Sequence, residues 1–164
     1  MDPHIQKAGY SDILVIQDLA HRIWPDTFGQ ILSRAQIDYM LDMMYSQRSL
    51  EKQMQRPGVQ FFIVAIEEHP LGFMSLELMS DHVRLHKLYV LTTNQGRGLG
   101  KAFMRKAREW TYYQDRNRIL LNVNKYNEDA IGFYKALGFR VLKEEDIDIG
   151  QGYWMNDYQM ALDI

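Results

Sequence analysis

Between an apolar segment, Leu88-Tyr89-Val90, and a run rich in basic residues, the chain places Gln95-Gly96-Arg97-Gly98-Leu99-Gly100. Three glycines so close together favour neither strand nor helix, so this stretch reads as the junction where one gives way to the other. Glycines there free backbone N–H groups to point at one spot, and the dipole of the following helix favours an anion at that spot. Two common phosphate loops fail on spacing. A Walker loop needs glycine at 95 and Ser or Thr at 102, where the chain has Gln95 and Ala102. A dinucleotide fingerprint opening at Gly96 or Gly98 needs glycine at 101 or 103, where Lys101 and Phe103 stand.

The elements around the junction follow from the period of the apolar residues. His4 to Ala8 reads as a short first strand. Ser11 opens a helix with Ile13, Ile16, Leu19 and Ile23 at helical spacing, and Pro25 is expected to bend the chain near Trp24. Ser33 and Gln36 match a capping box, followed by a helix with Ile37, Met40, Leu41 and Met44 on one face, ending near Tyr45. Helical residues then continue to a break at Pro57–Gly58. The period changes at this point. Residues 59–67, 71–79 and 82–91 are β-rich, with turns expected at 68–70 and 80–81, and read as an antiparallel meander. A basic helix over 98–114, a strand over 118–123, a helix over 127–137 and two last strands complete the chain. The expectation is one α/β domain spanning 1–164, with a mixed sheet of about seven strands flanked by helices.

Composition narrows the chemistry. With 164 residues, 46% of them apolar, the chain can bury a sizeable core. A net charge of −2 argues against nonspecific nucleic-acid binding, which needs a basic surface. There is no cysteine, which excludes thiolate nucleophiles, zinc–thiolate sites and disulfides. The five histidines lack metal-ligand spacing, and no metal is expected; His82 and His86 lie four apart in a strand-like stretch. No apolar run reaches 18 residues and no signal-like N-terminus is present, so no membrane partner and a cytoplasmic location are expected.

The pattern Gln-x-x-Gly-x-Gly at 95–100, after a "LYV" strand and before a basic helix, resembles the acetyl-CoA signature of the GNAT superfamily of N-acetyltransferases. Downstream, "LNVNKYNEDAIGFYKALGF" at 121–139 is similar to that family's second motif, and "YWMNDYQMAL" to its last strand. Read without the resemblance, Gly98 and Gly100 make a tight turn, Arg97, Lys101, Arg105 and Arg108 a solvated helix face, and Tyr134 a packing aromatic.

The resemblance implies acetyl-CoA as cosubstrate between the strand at 85–91 and the strand at 118–123. Leu88, Tyr89 and Val90 would meet the pantetheine arm. The backbone of Gln95, Gly96, Arg97, Gly98, Leu99, Gly100 and Lys101 would cradle the pyrophosphate. Asn127 would contact the cofactor arm, and Lys135 the ribose phosphate. The implied chemistry is direct attack of an amine on the thioester in a ternary complex. The Val90 N–H would then stabilise charge on the carbonyl oxygen, and Tyr134 would protonate the departing sulfur. Where the family often carries a carboxylate, this chain has Arg84, which leaves Glu77, His86 or a water chain as base.

Trp24, Phe28, Tyr39, Tyr153 and Trp154 are candidates for lining an acceptor pocket, and Asp26, Glu67 and Glu68 for attracting a cationic amine; core packing and surface solvation account for them equally well. A small-molecule primary amine is the expected acceptor. A protein N-terminus or lysine, and a noncatalytic CoA-binding module, are the alternatives. The aromatic-rich 152–160 segment would serve a homodimer or simply a buried strand.

Overall fold

In the computed structural model, which describes residues 2–164, the meander expected from the sequence is the first part of a longer sheet. In chain order the elements are β1 (His4–Ala8), α1 (Ile13–Phe28), α2 (Arg34–Tyr45), α3 (Gln47–Gln55), β2 (Val59–Ile66), β3 (His69–Leu78) and β4 (Val83–Val90). The second half contains α4 (Leu99–Tyr113), β5 (Arg118–Asn124), α5 (Glu128–Ala136), β6 (Arg140–Gly150) and β7 (Tyr153–Asp163). The seven strands lie in the order β1-β2-β3-β4-β5-β7-β6. Every neighbouring pair is antiparallel except β4 and β5.

Both faces of the sheet are covered, so most strands carry apolar residues on both sides. One face buries Phe62, Met74, Leu76 and Leu121 against Phe103 and Met104 of α4 and Tyr134 of α5. The other buries Phe61, Ile63 and Phe73 beneath Ile16, Leu19 and Ile23 of α1, Leu41 of α2 and Leu50 of α3. The outer strand is β6, most of it exposed, whereas β7 pairs on both sides. The aromatic-rich 152–160 segment therefore leads into an internal strand and presents no free edge.

Several local expectations are corrected. Pro25 does not break α1, which runs on to Phe28. A proline three residues before a helix's last residue removes one main-chain bond, and burial of Trp24 and Phe28 on either side holds the last turn in place. The start of that helix is Ile13, because Ser11 belongs to a 3-10 turn over Tyr10–Asp12. Only half of the capping box forms. Ser33 Oγ accepts from the Gln36 N–H at 3.1 Å, while the Gln36 side chain donates to the Trp154 carbonyl at 2.7 Å instead of reaching back. The β2–β3 turn is Glu67–Glu68, not 68–70, with φ of 50° and 69°. Both positions are left-handed because a two-residue hairpin turn of that kind matches the twist of its strands.

Two irregularities shape the centre of the sheet. Opposite Ser75 and Leu76 of β3, β4 pairs through Lys87 and Leu85, so His86 is an extra residue and forms a bulge. The bulge reverses the facing of β4. Val83 and Leu85 before it, and Leu88 and Val90 after it, all join the α4–α5 face, while Lys87 and Tyr89 turn toward α1–α3. The second irregularity is a split. β4 and β5 pair only through Val83–Leu85 and Ile119–Leu121; beyond this, β4 stays with β3 as far as Val90 and β5 with β7 as far as Asn124.

Candidate active site

The split leaves main-chain groups of two strands without a ladder partner. The Leu91 N–H donates to Leu71 across β3 at 2.8 Å, and alternation along the strand then aims the N–H groups of Leu88 and Val90 away from β3, toward β5. The Lys125 N–H likewise donates to Asn156 at 2.9 Å, which aims the main-chain groups of Asn122 and Asn124 back toward β4. The cleft between β4 and β5 is thus lined on both sides by free peptide groups. A chain of amides such as pantetheine pairs with such walls as a short extra strand does.

At the mouth of this cleft the glycine junction opens α4. Gly96 and Gly98 take φ of 82° and 79°, and a Cβ added to either would meet nothing within 4 Å. Their backbone is left-handed and their surroundings are open, which fits a cradle for a ligand better than a turn forced by crowding. Gly98 is the N-cap of α4, so the first N–H groups of the helix, at Leu99, Gly100 and Lys101, have no intrahelical acceptor. Leu99 takes part through its backbone alone, since its side chain is buried. Gly100 has a second reason to be glycine: a Cβ there would stand 3.1 Å from the Phe133 ring of α5. Arg97, Lys101, Arg105 and Arg108 are exposed, and none makes an ion pair among the described residues. Gln95 bends back toward the cleft, its Nε2 lying 3.5 Å from the Val90 carbonyl.

From α5, Tyr134 approaches the cleft on the α4–α5 face. It is 8% exposed, and its ring packs edge-on against Phe133 and Phe139, with centroids 5.3 Å away in each case. Burial raises its pKa, so the phenol stays protonated at any physiological pH. No described residue hydrogen-bonds its hydroxyl, yet the oxygen is not sealed among fully buried unpaired atoms. Asn127 caps α5, its Oδ1 accepting from the Ala130 N–H at 3.3 Å, and keeps its amide N–H groups for other partners. Lys135 is exposed in the last turn of α5.

The opposite face of the cleft is polar and includes a residue that the sequence reading missed. Asp157 of β7 is 3% exposed. Asn122 Nδ2 donates to its carboxylate at 3.2 Å, while Arg84 donates to Asn122 Oδ1. Burial raises the Asp157 pKa, the Asn122 hydrogen bond opposes this, Glu145 adds to it and Arg84 opposes it. Tyr89 packs on the α1–α3 face, its ring against Trp24, Phe28 and Phe73. Burial raises its pKa first, and the charges of Tyr134 and Asp157 add to the shift.

These features meet in comparisons with known proteins. The model of the acetyltransferase (GNAT) family matches residues 16–139. The chain belongs to this family. The chain is 23% identical over 152 residues to spermidine N(1)-acetyltransferase of Thermoplasma acidophilum, a match covering 90% of this chain and 92% of that one. It is 32% identical over 93 residues to peptidyl-lysine N-acetyltransferase YjaB of Escherichia coli, covering 55% and 57%. Some of the matches span only 41% to 58% of the relatives' own length. Among solved structures, the PaiA N-acetyltransferase of Thermoplasma acidophilum in complex with coenzyme A superposes with a TM-score of 0.87 at 22% identity, covering 100% of both chains.

In this acetyltransferase the residues suggested for an acceptor pocket divide. Trp24 and Phe28 are core, 3% and 6% exposed, packed with Tyr45, Tyr89 and Phe73. Tyr39 and Tyr153 stack at 5.2 Å, and the Trp154 side chain lies on the surface. Asp26 accepts from the Thr92 hydroxyl at 3.0 Å, tying the end of α1 to the loop after β4, whereas Glu67 and Glu68 are exposed turn residues. The candidate bases Glu77 and His86 are engaged with each other at 2.7 Å, and Arg56 also holds Glu77 at 2.7 Å. No helix among the described residues is long and apolar enough to cross a membrane.

Proposed function

We propose that this chain transfers the acetyl group of acetyl-CoA to the primary amine of a small molecule, with polyamines the best-fitting class, and that it does so in the cytoplasm. The donor supplies an activated thioester. The chain's own groups do the rest: the 95–101 backbone and α4 dipole hold the pyrophosphate, and the main chain of Leu88 and Val90 aligns the pantetheine arm. The Val90 N–H stabilises charge on the carbonyl oxygen, and the Tyr134 hydroxyl meets the departing sulfur. Asn127 and Lys135 serve the arm and the ribose phosphate.

One observation carries the preference for a small acceptor. The β6–β7 hairpin is tied down onto α2: the Tyr39 hydroxyl donates to the Ile149 carbonyl, and Gln36 donates to the Trp154 carbonyl. An extended peptide needs an open groove, and these two bonds, with the Tyr39–Tyr153 stack, bridge the space between helix and hairpin. The spermidine-acetylating relative matches nearly the whole chain and supports the same class.

Release of free CoA thiol, followed with a panel of polyamines, monoamines and lysine or N-terminal peptides, tests this reading. Turnover is expected with small amines and should be at least tenfold slower with peptides. Peptides exceeding every amine would reverse the assignment, and tight binding without turnover would favour a noncatalytic module. The phosphate cradle has its own test. Gly98→Asp places a β-branching-free but anionic side chain on a left-handed residue beside the pyrophosphate. The acetyl-CoA dissociation constant should rise about tenfold or more, from like-charge repulsion of roughly 1–2 kcal/mol near the surface. Calorimetric titration with unchanged affinity would remove the cradle from that loop.

A further inference from the structure

We propose that Asp157 is the residue that receives the acceptor amine: its carboxylate binds the ammonium form and takes the proton that must leave before the nitrogen can attack. This rests on the acetyl-transfer reading of the same cleft. The geometry begins with what the carboxylate lacks. Asp157 is almost wholly buried, yet its one hydrogen-bond donor among the described residues is the neutral amide of Asn122 on Oδ2. The Arg84 guanidinium donates to Asn122 Oδ1, and no ion pair among the described residues reaches Asp157. A buried carboxylate so poorly compensated is costly to the fold, and a cation arriving from solvent offsets that cost.

Position makes the cost useful. Strand alternation from Val123 and Met160, which face α4–α5, turns Asn122 and Asp157 to the α1–α3 side of the sheet, where Tyr89 also packs, while Tyr134 comes from the α4–α5 side. A proton acceptor and a proton donor therefore stand on opposite sides of the gap between β4 and β5. The charged and titratable groups around the carboxylate are Glu145 of β6, its cross-strand neighbour, Arg84 and Tyr89 of β4, with Asn122 of β5 as the hydrogen-bonding neighbour. Burial and Glu145 both favour the protonated carboxyl, which makes Asp157 a stronger base than an exposed aspartate.

The ammonium gives one proton to Asp157, and the freed lone pair forms the N–C bond to the acetyl carbon. The C–S bond breaks with its electron pair on sulfur, which takes the Tyr134 proton. The excess proton on the new amide nitrogen restores the Tyr134 phenol, and Asp157 releases its own to solvent.

Asp157→Asn keeps shape and volume while removing charge and basicity. With a polyamine that the wild type acetylates, kcat/KM at neutral pH should fall about a hundredfold, within the usual range for a general base. The acetyl-CoA dissociation constant should stay unchanged, and the thermal midpoint should rise or hold, because the variant no longer buries an uncompensated charge. The variant's rate should rise about tenfold per pH unit, following the free-amine fraction, without the acid limb that the wild type shows above the ordinary carboxylate range. The wild type alone supplies a second measurement. Two acceptors with amine pKa values near 8 and 10 should share one acid limb in kcat if Asp157 removes the proton, and a limb that moves with the amine would overturn the proposal. So would wild-type kcat/KM in Asp157→Asn while small amines are turned over. Failure of every small amine with wild-type protein would instead strike the proposed function.

Discussion

Tyr134→Phe should leave the fold and the affinity for acetyl-CoA in place while turnover falls by about ten- to several-hundred-fold, at or below the usual range for general acid catalysis. Fold retention follows from the packing. The ring's edge-on contacts with Phe133 and Phe139 survive the change, and the hydroxyl has no hydrogen-bond partner among the described residues to orphan. Stability should therefore change by less than about 1 kcal/mol, as for a near-isosteric core swap. The rate loss has a specific origin. Burial raises the phenol pKa, so the proton is present at every working pH, and it is given up only as charge builds on sulfur. A donor of that kind stabilises a developing thiolate chiefly by hydrogen bonding, which explains an effect at the lower end for a leaving group as good as CoA. Steady-state kinetics at saturating acetyl-CoA with an amine that the wild type acetylates decides the matter. An unchanged kcat would return Tyr134 to the role of a packing aromatic. Since its pKa is raised, Tyr134 should also contribute no alkaline limb to the profile below pH 10.

The sequence made the glycine junction, the element order and the α5 motif legible because each depends on residues close together in the chain. Gly96 and Gly98 declare a left-handed backbone by being glycines, and Ser33 and Asn127 cap the helices that they precede. What lay hidden depends on pairing between distant segments. In "VRLHKLYVL" strict alternation groups Val83 and Leu85 with Lys87 and Tyr89. The bulge at His86 breaks that grouping and returns Leu88 and Val90 to the face of Val83 and Leu85, and only the register against β3 reveals it. Asp157 was invisible for a related reason. Its burial comes from β5 and β6 on either side, and its chemistry from Asn122, 35 residues away in sequence. The one available signal was an acidic residue inside an otherwise half-apolar last strand. Pro25 misled in the opposite sense, since tertiary burial of its neighbours outweighed a local helix-breaking rule.

Lys87 sets the other large expectation, and it concerns stability. The bulge turns this lysine into the α1–α3 face, where its Nζ donates to Gln53 Oε1 at 2.6 Å and lies 5.6 Å and 5.8 Å from the ring centroids of Tyr45 and Phe61. No carboxylate pairs with it, and burial, helped by the nearby Arg56 charge, lowers its pKa to about 8. Below pH 8 the ammonium is charged in both folded and unfolded chains, and the folded state bears the whole cost of burying it. Between pH 8 and 10.5 the unfolded chain still holds the proton that the folded chain has released, so stability rises with pH across that window. The gain at completion is about 3 kcal/mol, the value of a displacement of that size. Above pH 10 the raised pKa values of Tyr45, Tyr89 and Tyr134 act in the opposite direction, because the folded state then holds more protons than the unfolded one. Lys87→Met separates these contributions. It removes the buried charge, keeps the cross-section of the side chain and leaves Gln53 Oε1 short of one donor. At pH 7 the variant should be more stable by about 1–2 kcal/mol, the burial cost less about one lost hydrogen bond. Urea denaturation from pH 7 to 10 should show the wild type rising toward and past the variant, whose stability stays nearly level until the tyrosines titrate. Two curves that run parallel over that range would mean that Lys87 carries its charge at no cost to the fold.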